Sequence, residues 1–140
     1  MPIPTAEQPP RLKSQDDLLR WADRIVDYLM NMRALVLPSL VKVLGNGATH
    51  NLDIGSSIIL RITGPTAAFN ITGASMATEG RPLFIYNSTA QAMTINHENA
   101  GSASANRFHH MNGADFVTVG EGIAGYVYNN NHWVGIFNQP

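Results

Sequence analysis

The side chains of this sequence able to do chemistry are few. They are the histidines His50, His97, His109, His110 and His132 and, after residue 45, the carboxylates Asp53, Glu79, Glu98, Asp115 and Glu121. A metal centre needs histidines, or histidines with carboxylates, converging on one point. The only close set is His109-His110 with His97-Glu98 upstream. Neighbours in a strand point to opposite faces, so His109 and His110 do not share a metal within one chain. The remaining route is one histidine per chain on a threefold axis. Exposed loop histidines, with no metal and no cofactor, are the expectation. No serine sits in a nucleophile elbow. Gly45-Asn46-Gly47 and Gly120-Glu121-Gly122 lack the lysine and the following helix of a phosphate loop. Cysteine is absent, which excludes disulfides, zinc–thiolate sites and thiol nucleophiles. The sequence predicts a protein that is not an enzyme.

Two groupings remain for structure or recognition. Glu98 leaves one expected strand and Arg107 closes the following loop, so a carboxylate–guanidinium pair is expected to pin that loop. Asn129, Asn130, Asn131 and His132 precede Trp133. Amide groups beside an aromatic ring suit a carbohydrate, so this loop is the candidate receptor site, although a hairpin tryptophan more often belongs to the core.

The elements that must position these groups follow from composition and periodicity. Only 14% of the 140 residues are charged, against roughly 25% in ordinary soluble chains, while 44% are hydrophobic. A small monomer with so few charges covers its surface poorly, so burial against copies of itself is expected, helped by neutral Asn, Ser, Thr and Gly. The net charge is −1 without a basic run, so no nucleic-acid partner is expected. No stretch reaches the ~18 apolar residues of a membrane span, and no signal-peptide pattern opens the chain. Synthesis and assembly in a cytoplasm are expected.

Residues 1–13 hold four prolines and read as an extended arm, a docking peptide for a partner protein or a tail. Residues 14–37 read as an oligomerisation helix. Ser14 and Asp17 resemble a capping box, and Pro38 stops the helix. Leu18, Ala22, Ile25, Leu29, Met32 and Val36 recur at alternating gaps of four and three, a heptad seam, with Trp21, Tyr28 and Leu35 alongside. A seam this wide fits a helix facing two neighbours in a trimer, or one lying on its own subunit. Residues 39–44 are strand or a further helical turn. Residues 45–140 form the β-domain, with strands expected at 51–54, 57–63, 69–72, 82–87, 93–96, 116–119, 122–128 and 133–137, and a loop over 98–113. Turn residues every 8–12 positions predict an antiparallel β-sandwich or jelly roll. No internal repeat of 20–50 residues is visible.

The runs 81–87 (RPLFIYN), 93–98 (MTINHE), 104–108 (SANRF) and 126–133 (YVYNNNHW) together resemble the β-domains of phage tail fibres, head fibres and baseplates. The resemblance covers about 78–137. Pro82, where that pattern tends to have an aliphatic residue, and the His109-His110 pair depart from it. What it implies is a trimeric β-domain behind a helical stem, serving as a virion part. The expected role is a homotrimeric capsid decoration, head-fibre or tail-component subunit, attached to other virion proteins through residues 1–13. The alternative is a receptor-binding module for a host surface glycan.

Overall fold

The computed structural model describes residues 14–32 and 36–136, and the chain divides into two units, Met1–Val36 and Leu37–Pro140. The expected arm, 1–13, and Phe137 lie outside the described residues.

In the first unit, α1 spans Gln15–Met32. The Ser14 hydroxyl accepts the Asp17 N–H at 3.2 Å, satisfying one of the free donors of the first turn. Asp16 and Asp17 set negative charge at the positive end of the helix dipole. The helix stops short of the expected residue 37: Val36 to Pro38 are not helical. Proline disfavours the α conformation in the residue before it, and the Pro38 carbonyl instead accepts the N–H groups of Ile58 and Ile59. Val36 therefore falls outside the heptad seam, and it is exposed.

Among the described residues the second unit carries ten strands. These are β1 Ser39–Val43, β2 Gly47–Thr49, β3 Ile59–Thr63, β4 Phe69–Ile71, β5 Pro82–Asn87, β6 Met93–Ile95, β7 Phe108–His109, β8 Phe116–Thr118, β9 Gly122–Asn129 and β10 His132–Gly135. β1 precedes the expected start of the β-domain, and the segment 51–54 forms only a bridge, at Leu52. The expected loop 98–113 contains a 3₁₀ turn at Ser104–Asn106 and β7.

The expected antiparallel sandwich or jelly roll is corrected by the pairing. β1, β3 and β5 run parallel, Ser39 opposite Ile59 and Ile59 opposite Phe84. β2, β4 and β6 also run parallel, Gly47 opposite Phe69 and Phe69 opposite Met93. Leu52 bridges Ala74 in the same sense on a third side. The chain thus winds in stacked coils, a β-solenoid-like arrangement, each coil adding one strand to a six-stranded sheet (β1-β3-β5-β9-β10-β7) and one to a four-stranded sheet (β2-β4-β6-β8). After three coils it reverses: β8 runs antiparallel to β6 and β9 antiparallel to β5, and β10 returns beside β9 and pairs in parallel with β7.

The two sheets share one core. Leu60, Ile62, Leu83, Ile85, Ala124, Tyr126 and Trp133 from one meet Phe69, Ile71, Met93, Ile95 and Phe116 from the other. Asparagines staple successive turns. Asn46 Oδ1 accepts the N–H groups of Thr66 and Ala67, and Asn51 Oδ1 accepts the Ala103 N–H and the Asn106 amide. Gly73 lets two passes of chain touch: a Cβ there would lie 2.6 Å from the Asn106 carbonyl oxygen and from Ser102. The Arg81 guanidinium donates to the carbonyls of Met76, Gly55 and Ser57, closing the corner before β5.

Candidate functional site

β7, β10 and the turns beside them bring four of the five histidines together, two of them against Glu98. His97 follows β6, His109 ends β7, His110 comes next and His132 opens β10, with Val134 of β10 opposite His109. The strand rule holds at the adjacent pair. His109 faces outward, its Nδ1 3.0 Å from Glu98 Oε1, while His110 turns inward and is buried. The rings of His97 and His109 lie 5.1 Å apart, and those of His109 and His132 5.6 Å apart.

The hydrogen bonds fix the proton positions of two rings. His97 Nδ1 receives the His110 backbone N–H at 2.9 Å, so it carries no proton. His110 Nδ1 donates to the Ala114 carbonyl at 2.7 Å, and its Nε2 accepts the Tyr126 hydroxyl at 2.8 Å. Burial holds the His110 imidazole below its ordinary range, and the hydrogen bond to Ala114 opposes this. Burial also pushes the Tyr126 phenol far up, so the hydroxyl that bonds His110 stays protonated. His132 Nδ1 lies 3.1 Å from Glu98 Oε1 without a hydrogen bond to it, and it is buried without another partner. Glu98 is held with φ 43°, in the left-handed region, by its N–H to the Phe108 carbonyl.

Glu98 therefore does not pair with Arg107, as the sequence suggested. Its carboxylate serves His109 and His132, and Arg107 Nε donates to the Ser102 carbonyl at 3.0 Å. The guanidinium still pins the expected loop, but through its own backbone. Histidines outcompeted it because β7 and β10 pair in parallel, which places His109 and His132 beside each other, a neighbourhood that 23 residues of separation conceal. Among the described residues no three or more His, Asp or Glu side chains are arranged to hold a metal ion. The geometry explains this: His97 Nδ1 and both nitrogens of His110 are already engaged within the protein.

The candidate receptor loop is a tight hairpin. Asn130 and Asn131 have φ of 51° and 66°, the left-handed pair that a two-residue type I′ turn needs. Asn129, Asn130 and Asn131 are exposed and His132 is half-buried. Trp133 belongs to the core, its indole N–H donating to the Ala74 carbonyl at 2.9 Å. At the C-terminal end of β10 a shallow groove of about 530 Å³ is lined by Met111, Val134, Gly135 and Ile136, none of them titratable.

On α1 the seam residues Leu18, Ile25 and Leu29 are 43, 38 and 56% exposed, and Ala22 is half-buried. Leu19, Val26 and Met30 beside them are exposed too. The side chain of Met32 lies outside the described residues. Comparison with protein-family models, curated proteins and solved structures finds no match.

Proposed function

We propose that this chain is a non-enzymatic structural subunit of a virion, a capsid decoration, head-fibre or tail component, which assembles as a homotrimer through α1. The observation that carries the reading is the exposure of Leu18, Ile25 and Leu29 along one seam of the helix. An isolated helix of 18 residues is marginal in water, so such a face exists to be covered. Each large aliphatic side chain buried there contributes about 1.5–3 kcal/mol before ordering costs. The low charge supports the same reading, and residues 1–13 are the segment assigned to docking on other virion proteins.

Light scattering on the full chain is expected to give a molar mass near three times 15.2 kDa. The double variant Ile25→Lys, Leu29→Lys is expected to lower it. A parent that is monomeric at micromolar concentration overturns the trimer. For the virion role, antiserum against the chain should label purified particles of the encoding virus; unlabelled particles refute it. The alternative, a receptor module reading a host glycan through Asn129, Asn130, Asn131 and His132, would show as glycan-array binding lost in Asn130→Ala. Burial of Trp133 takes from that alternative the aromatic face it relied on.

A further inference from the structure

The outer face of the six-stranded sheet is built like an interior. In β5 the side chains of Leu83, Ile85 and Asn87 point to the core, which leaves Pro82, Phe84 and Tyr86 outside. Register then defines the outer rows. Val41, Arg61, Tyr86 and Ile123 form one row, and Ser39, Ile59, Phe84 and Gly125 the next. Pro82, Val127 and Val134 form a third, ending at His109. Val43 and Ile136 extend the apolar surface at its margins, being 73 and 49% exposed. A strand facing water alternates apolar inside with polar outside; β1, β5 and β9 depart from this with Val41, Val43, Phe84, Ile123 and Val127 outside, while β3 keeps Arg61 and Thr63 there.

The charges on or beside this face are already engaged. Arg61 Nε donates to the Ser88 hydroxyl, and the Tyr86 hydroxyl donates to Glu121. His109 and His132 at one end share Glu98. Arg61 apart, whose bond to the Ser88 hydroxyl leaves its charge uncompensated, these rows offer a partner apolar surface, and this same face provides the complement. At about 4.8 Å per strand the wall is on the order of 24 Å wide, and a five-residue strand is about 17 Å tall. That is an apolar patch of several hundred Å², the size at which soluble proteins carry an interface.

We propose that the outer face of the six-stranded sheet is a second self-association surface, covered by another copy of this chain. The choice of occupant rests on the homotrimer reading. Six residues separate α1 from β1, so helices that associate hold the sheets of different copies at high local concentration, where a weak apolar contact suffices. The contact itself is independent of the seam, and the two are separable by experiment.

The chain has no cysteine, so a single introduced thiol reports proximity between copies. Ile123 on this face and Val117 on the outer face of the other sheet are equally exposed, at 53 and 52%. In the full-length protein a short bis-maleimide is expected to join Ile123→Cys chains and to leave Val117→Cys chains single. Equal yields from the two, or none from either, overturn the proposal. In a second arm Phe84→Lys is expected to raise the dissociation concentration about tenfold or more, with the helix seam intact. If Phe84→Lys matches the parent in mass at every concentration while Ile25→Lys with Leu29→Lys dissociates, the helix seam stands and the sheet interface fails. If only Phe84→Lys dissociates, the sheet interface stands and the seam fails. Thermal melts of each variant separate loss of contact from loss of fold, and the cross-link decides where Phe84→Lys does not fold.

Discussion

The two sheets of the β unit share one core and differ on the outside. Across the six-stranded sheet one outer row reads Val41, Arg61, Tyr86, Ile123; across the four-stranded sheet the matching row reads Ala48, Asn70, Thr94, Val117. Stacked coils dictate the inner positions of both, since Leu60, Ile62, Leu83 and Ile85 must pack on Phe69, Ile71, Met93 and Ile95. They dictate nothing about the outer positions. What stands there therefore reports surroundings rather than fold: small and amide side chains suit water on one side, and the larger apolar ones on the other suit the copy of the chain proposed to cover them. Asn70 adds to this, donating to Asn96 Oδ1 while Asn96 donates to Asp115, a polar lattice on the wet face.

The comparison presumes that both sheets stand or fall together, and Trp133 is where that is tested hardest. It is fully buried, packs edge-on to Tyr128 at 5.2 Å between ring centroids, and bonds Ala74 across the fold. Trp133→Ala is expected to cost about 3–5 kcal/mol in denaturant unfolding, with both sheets lost in one transition. Two separate transitions would mean that the sheets are independent, and the contrast between their outer faces would lose its meaning.

Asn87 ties the sheets at their ends. It is fully buried at the end of β5, and its amide donates to the carbonyls of Gln91 and Gly120 and to the Thr118 hydroxyl of β8; its oxygen accepts the Thr89 hydroxyl. Asn87→Ala leaves two buried carbonyls without a donor. The expected loss is about 2–3 kcal/mol, read from denaturant midpoints. Asn87→Asp keeps the shape but brings a buried carboxylate against those carbonyls, and it should be no better than alanine. A loss below 0.5 kcal/mol would show that Asn87 is not what joins the sheets.

How much of this was legible beforehand divides along the same line. Element existence was readable: 82–87 is β5 as expected, 57–63, 69–72, 93–96 and 116–119 each contain a strand, and 122–128 lies within β9. The helix α1 was readable because its cap and its periodicity are local signals, although Val36 at the end of the expected seam is not helical. Parallel stacking was not, because turns of different length hide the period: Ser39 to Ile59 is one step and Ile59 to Phe84 a longer one. A signal was nevertheless present. Leu52-Asp-Ile54, Leu60-Arg-Ile62, Phe69-Asn-Ile71, Leu83-Phe-Ile85 and Met93-Thr-Ile95 all read large apolar, any residue, isoleucine, and all ten flanking residues are core. The histidine cluster was half legible. His109 and His110 diverge by strand alternation alone, but His132 reaches Glu98 only through the β7–β10 pairing.

The smallest expected effect is one of pH, and it arises where the apolar sheet ends in histidines. His110 is buried, with Tyr126 of β9 on one ring nitrogen and Ala114 on the other, His97 and His109 near its ring and Asp115 in the following loop. Its folded-state pKa lies below the unfolded value of 6.5, chiefly through burial. The unfolded chain therefore takes up this proton first as pH falls. The stability contributed by neutral His110 is complete above about pH 6.5 and is lost as pH drops from there through the lower folded value. His110→Gln carries no titrating proton and retains groups able to meet Ala114 and Tyr126. Melting curves from pH 8 to 5 are expected to fall more steeply for the parent than for this variant, by at most about 1.4 kcal/mol per pH unit for one proton. Because every other side chain is common to both proteins, the difference between the curves isolates His110. Parallel curves would show that the buried His110 contributes nothing to the acid sensitivity.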